Sequence, residues 1–302
     1  MTQNAMNLAN TPEPIIARVM HSTNNSSRSI GALLMDAGRI TPEAAERILK
    51  LQKEKNLRFG EAAVELGLLT EDDIQHALAH QFDYPYLVPG DSSVSQEVVA
   101  AFKPFSASVE QLRALRSQLM LRCLNPDNED RSLAIVSPEK GEGRSYIAAN
   151  LAVVFSQLGE RTLLIDADLR RPRQHQIFCL GNPPGLSAIL SGRAEPENVI
   201  SRIPNLLGLS VLPAGAVPPN PQELLGRPAF SALLQYCRQH YDVVLIDTPA
   251  GRTSDAETIA AKASAALAVG RKNITAIGNL QEMVTSIRRS GTPVVGAVLN
   301  EF

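Results

Sequence analysis

"LAIVSPEKGEGRSYIAANLAVVFSQLG" (residues 133–159) decides how the rest of the chain is read. The apolar run Leu133–Val136 leads into a loop with glycines at 141 and 143, and the loop leads into a long helix-like segment. A Gly-rich strand-to-helix turn aims backbone N–H groups at an anion, and the missing side chains let the main chain approach closely. Gly141, Glu142, Gly143, Arg144, Ser145 and Tyr146 are therefore the candidate nucleotide-binding residues, with Arg144 standing where such loops carry lysine. Taken alone, the turn reads equally as a structural one.

Two further runs change that. "TLLIDADLRRP" (162–172) puts Asp166 and Asp168 straight after an apolar strand, and "VVLIDTP" (243–249) does the same with Asp247. Carboxylates at strand C-termini lie beside the switch-point crevice of a doubly wound sheet, where the loop also lies. Such a set suits Mg²⁺–nucleotide chemistry. Ser145 would give its hydroxyl to the metal, Asp247 would hold it directly or through water, and Asp166 and Asp168 would tune the metal or orient an attacking group. "RRPRQH" (170–175) is a dense basic cluster, read as a solvated loop or as a contact to phosphate or an acidic neighbour, with Arg170 or Arg171 the candidate.

Further apolar runs at 209–212, 266–269 and 294–299 complete a parallel α/β pattern, with helical segments between most strands. The predicted fold is a doubly wound, mostly parallel P-loop domain over 108–302. A small all-α domain precedes it. There "IGALLMDAGRITPEAAERILKLQ" (30–52) aligns with "FGEAAVELGLLTEDDIQHALAHQ" (59–81) at a constant shift of 29 residues. Each copy reads as a short helix ending at a glycine, then a threonine-capped second helix, giving two helical hairpins over 28–87. Residues 1–27 read as a disordered tail, and the Pro-, Gly- and Ser-bearing stretch 88–107 reads as a linker.

The formal net charge of -2 over 302 residues gives no general drive toward nucleic acid or acidic lipid. Cys123, Cys179 and Cys237 form no CxxC pair and read as reduced thiols. No stretch is long and apolar enough to span a bilayer, so the expected location is cytoplasmic, with membrane contact only through a partner. The five histidines lack ligand spacing, and no metal beyond Mg²⁺ is implied.

The three runs resemble the Walker A, Walker A′ and Walker B motifs of bacterial tyrosine kinases, which share the deviant-Walker P-loop fold of the partitioning ATPases. "EQLRALR" (110–116) matches that family's self-assembly motif through Glu110, Arg113 and Arg116, and "LPAGAVPPNPQELL" (212–225) is similar to its Pro-rich segment. From about residue 28 onward the chain resembles the chain-length-determinant kinases of exopolysaccharide clusters, which carry a secretion-ATPase-type N-terminal domain. "GRSY" (143–146) is usual in that subgroup, which implies that Arg144 is tolerated.

The resemblance implies a tyrosine kinase using ATP and Mg²⁺, with Asp166, Asp168 and Arg144 catalytic and Asn300 near the base. It also implies a homo-oligomer recruited to the inner membrane face by a polysaccharide copolymerase, acting on a protein tyrosine substrate, with no nucleic-acid partner. The family's C-terminal tyrosine cluster is missing from "GAVLNEF", so transfer to another protein is expected instead of tail autophosphorylation. Some N-terminal domains of this type bind cyclic di-GMP; here Arg58, Gly60, Gly67 and Gln81 fit, while repeat one has Ser29 where an arginine belongs. Two alternatives remain. A partitioning ATPase would carry a signature lysine where this chain has Glu139, and a non-catalytic nucleotide-binding scaffold would suit Arg144.

Overall fold

The computed structural model describes residues 29–81, 85–87, 90–251 and 254–302. The expected tail, Tyr84 and the side chain of Gln81 lie outside what is described. The chain forms two compact units, Met1–Tyr84 and Pro85–Phe302.

The first unit has helices Ile30–Asp36, Pro42–Lys55, Phe59–Glu65 and Glu71–Gln81. Both repeat threonines cap as the sequence predicts. Thr41 Oγ1 accepts from Ala44 N at 3.3 Å, and Thr70 and Asp73 close a reciprocal box. The repeated glycines have structural reasons. Gly38 and Gly67 follow helix ends at φ +66° and +64°, the left-handed turn that favours glycine. At Gly31 and Gly60 a Cβ would come within 3.1 Å of the Phe59 ring and 2.9 Å of Ile74 Cγ2. Gly60 and Gly67 are thus accounted for by packing and capping, and the Arg58 backbone N–H donates to Glu61 at 2.8 Å. Gly60→Ala should cost this unit about 1–3 kcal/mol through overpacking, seen as a lower melting temperature by circular dichroism.

Among its described residues the second unit has a seven-stranded sheet in the order β3-β4-β2-β5-β1-β6-β7. The strands are β1 (Ser132–Val136), β2 (Thr162–Asp166), β3 (Ser201–Arg202), β4 (Leu209–Leu212), β5 (Val243–Asp247), β6 (Ala265–Arg271) and β7 (Val294–Asn300). All pairings are parallel except that of β3 with β4. Each of the six apolar runs forms a strand; the two-residue β3 carries no apolar signal and is an addition to the sequence pattern. Strand residues alternate between two cores. Leu133, Ile135, Leu164 and Leu245 face one layer of helices, and Ala134, Val136, Leu163 and Ile246 face the other. That is why continuous apolar runs were needed.

The described part of the stretch 88–107, expected as a linker, packs into the core of this unit. Val94, Val98, Ala100, Ala101 and Phe102 are buried in the same core as the helix Arg144–Gln157. Two amides of that helix hold it. Asn150 accepts from Ala100 N at 2.9 Å and donates to Glu97 O at 2.9 Å, while Gln157 donates to Pro85 O at 2.9 Å and Ala100 O at 3.0 Å. The Pro, Gly and Ser residues punctuate the segment, but its apolar residues decide where it goes.

Burial pushes the Cys123 and Cys237 thiols up to about 11 and about 12, so both pack as neutral side chains. Among the described residues, no helix is long and apolar enough to cross a membrane.

Candidate active site

Strand register assembles the site. β1 lies between β5 and β6, Ile135 is opposite Asp247, and Asp247 is opposite Asp166. The turn after β1 therefore opens beside the carboxyl ends of β5 and β2. Helix Arg144–Gln157 begins there, with Gly143 before it at φ +88°. A Cβ on Gly143 would lie 1.8 Å from Asn300 Nδ2, so any larger residue there would force the Asn300 side chain to move.

Arg144, only 7% exposed, folds back under the loop. Its Nε donates to Asp247 Oδ1 at 2.9 Å, one terminal nitrogen to Ser137 Oγ at 2.9 Å, and the other to Asp168 Oδ2 at 3.2 Å. A lysine ammonium is a point charge and could not span these three partners, whereas the planar guanidinium fork does. Asp247 is fully buried behind it. Its second oxygen accepts from Gln174 Nε2 at 2.8 Å.

Asp166 is also fully buried. It accepts from the backbone N–H groups of Asp168, Arg173 and Gln174 at 3.2, 3.0 and 2.9 Å. These bonds shape the turn after β2, so Asp166 lies behind the cleft wall and Asp168 stands on it. Burial and the nearby Asp247 charge push the Asp166 carboxyl well above the ordinary carboxylate value. Burial and Asp247 also raise Asp168, against the pull of backbone N–H groups and Arg144.

The cleft encloses about 390 Å³, and its wall includes Gly141, Gly143, Ser145, Lys140, Arg170 and Arg171. Arg170 Nε donates to Asp255 at 2.6 Å, one terminal nitrogen of Arg173 reaches both Glu97 carboxylate oxygens at 2.8 and 2.9 Å, and Arg171 lines the opening. Of the expected loop ligands, Glu142 offers its backbone only. Its carboxylate accepts from Glu139 N at 2.8 Å and from the Thr275 hydroxyl. Tyr146 lines the cleft, half-buried against the core, and burial raises its phenol. Asn300 ends β7 with Nδ2 on Glu142 O at 3.2 Å, which engages its amide on the loop backbone. Glu110 pairs with Arg113 at 3.0 Å within helix Ala107–Arg122, and Arg116 donates to Val154 O at 2.8 Å.

Several contributors escaped the sequence. Ser137 and Gln174 hold Arg144 and Asp247, and Arg271 donates to Gly141 O at 3.3 Å with its guanidinium 4.1 Å from the Phe302 ring centroid. Ser137 directly follows a strand, which is a weak signal. Gln174 gave none.

The residues fit a nucleotide with Mg²⁺. The loop at the start of helix Arg144–Gln157 lines a cleft whose wall carries Lys140, Arg170 and Arg171, and backbone N–H groups at a helix start favour an anion. Among the described residues, no cluster of three or more His, Cys, Asp or Glu could hold a metal by itself. Mg²⁺ keeps waters and borrows phosphate oxygens beside one or two carboxylates, and Asp247 and Asp168 lie together beneath the loop.

No family model matches the chain. It is 37% identical over 206 residues to the putative tyrosine-protein kinase CapB of Staphylococcus aureus, covering 66% of this chain and 87% of CapB. The chain belongs to the bacterial tyrosine-protein kinase family. The tyrosine-protein kinase etk of Escherichia coli (strain K12) is 33% identical over 203 residues, which are 67% of this chain but 28% of etk. The solved kinase domain of that Escherichia coli enzyme superposes with a TM-score of 0.64 at 33% identity, over 68% of this chain and 79% of the domain. The seven-stranded, mostly parallel sheet fits the P-loop α/β fold of these neighbours.

Proposed function

We propose that the chain transfers the γ-phosphoryl group of Mg–ATP to a tyrosine of another protein in a polysaccharide export system. The arrangement that carries this reading is the Arg144–Asp168–Asp247 cluster beneath the Gly141–Ser145 loop. Mg²⁺, when bound, supplies charge neutralisation at the phosphates. The loop N–H groups would bind and orient the polyphosphate, Ser145 and Asp247 would hold the metal, and Lys140, Arg170 and Arg171 add positive charge at the cleft. In this reading Asp168, on the cleft wall with a raised carboxyl, accepts the tyrosine proton. Arg144 now balances the two carboxylates, and Asp247 becomes reachable when the guanidinium moves.

A membrane copolymerase would bring the kinase to the inner face of the membrane, and Glu110, Arg113 and Arg116 mark the helix through which copies would assemble. The reading is tested by incubating the full chain with γ-labelled Mg–ATP, with and without the cytoplasmic segment of the copolymerase. Label on tyrosine that disappears in Asp247→Asn is the expected result. Nucleotide binding without tyrosine label in either mixture would favour a regulatory scaffold.

A further inference from the structure

Gln174 belongs to none of the three motifs, yet it touches all of them. Its backbone N–H donates to Asp166 Oδ2 at 2.9 Å. Its side-chain Nε2 donates to Ser145 O at 3.1 Å and to Asp247 Oδ2 at 2.8 Å. Both side-chain partners are acceptors, so the NH₂ must face them and the amide orientation is chemically forced. The side chain is completely buried, and its Oε1 has no hydrogen-bond partner. A buried acceptor without a donor is costly and rarely kept without purpose.

The carboxylate it holds is the one Arg144 holds from the other side. Arg144 grips Asp247 Oδ1 and Gln174 grips Oδ2, so the carboxylate plane is fixed at two points. If Arg144 leaves Asp247 when Mg–nucleotide binds, Gln174 alone keeps that carboxylate aimed at the metal. The same amide ties Asp247 to Ser145, the other expected metal-holding residue.

We propose that Gln174 is a positioning residue for metal loading. It orients Asp247 and links it to Ser145, and its free Oε1 accepts a hydrogen bond from a water brought in with the metal. Residues that orient a ligand in this way change metal affinity by about 10–100-fold when removed. This inference rests on the Mg–nucleotide reading of the cleft, but not on tyrosine being the acceptor.

The test uses the full chain with Gln174→Met, which keeps size and flexibility while removing both amide functions, and Gln174→Ala as a second variant. Two affinities are measured: ADP in EDTA by calorimetry, and Mn²⁺ for the protein–ADP complex by electron paramagnetic resonance. Circular dichroism melts report folding. Mn²⁺ affinity falling about 10–100-fold, with ADP affinity in EDTA within about threefold of the parent, supports the proposal. Equal losses of both affinities mean a structural brace only and overturn it, as does unchanged Mn²⁺ affinity in either variant. If the parent binds neither ADP nor Mn²⁺–ADP, the nucleotide reading itself fails and takes this inference with it. Tyrosine labelling that fails while Mn²⁺–ADP still binds leaves the Gln174 comparison decisive.

Discussion

Arg144→Met should lower the unfolding free energy by about 3–5 kcal/mol near neutral pH, because it removes the cation from buried carboxylates and leaves their charge uncompensated. Asp247 and Asp168 would lose donors at 2.9 and 3.2 Å, and Ser137 another at 2.9 Å. Asp166 lies close enough for the Asp247 charge to raise it further. The loss should depend on pH with a definite sign. Burial already raises the folded-state values of Asp166 and Asp168, and removing Arg144 raises Asp168 more. A carboxyl raised in the folded state favours folding while it is protonated, and that contribution is lost as pH rises through the folded-state value. The destabilisation should therefore be larger at about pH 8 than at about pH 5. Urea unfolding followed by circular dichroism at both pH values, against the parent, measures it. A loss that is equal or larger at the acid end would mean that Arg144 does not neutralise these groups. Arg144→Lys keeps the charge but cannot span the three partners. It should cost less stability than methionine and release Asp247 more readily to metal, seen as tighter Mn²⁺ binding in the presence of ADP.

Gly143→Ala should weaken nucleotide binding tenfold to about 150-fold, equivalent to about 1.5–3 kcal/mol for one charge-assisted hydrogen bond between loop and phosphate. Two causes add here. A non-glycine residue at φ +88° is strained, typically by about 1–3 kcal/mol. Its Cβ would also lie 1.8 Å from Asn300 Nδ2, whose amide is fastened to Glu142 O. The two causes separate in a double variant. Asn300→Ala removes the colliding side chain, so Gly143→Ala with Asn300→Ala should recover the steric part of the loss and keep the strain part. Calorimetric titration of ADP into the four proteins completes the cycle. No recovery would place the whole effect in the backbone conformation.

These predictions divide between what the residue order carried and what it did not. The strand positions were legible because a parallel strand buried on both faces is a near-continuous apolar run, and Leu133–Val136, Leu163–Ile165 and Val243–Ile246 satisfy that demand locally. The loop was legible because Gly141 and Gly143 at positive φ leave a residue-type signature, as do the capping threonines and repeated glycines of the helical unit. The segment 88–107 reads as a linker because its punctuating residues are local, whereas the amides of Asn150 and Gln157 that hold it lie about 50 residues further on.

The sequence by itself determined the parallel α/β sheet, the helical repeat, and the Gly-rich loop with the three aspartates at strand ends, since each rests on a short-range pattern of burial or backbone freedom. Only the tertiary structure decided what those groups do to one another. Arg144 meets Asp247 across 103 positions of chain and Gln174 meets it across 73, because strand order sets β1, β5 and β2 side by side. Hydrogen bonds and charge pairs act over a few ångströms of space, and the spacing of residues along a chain does not report that distance.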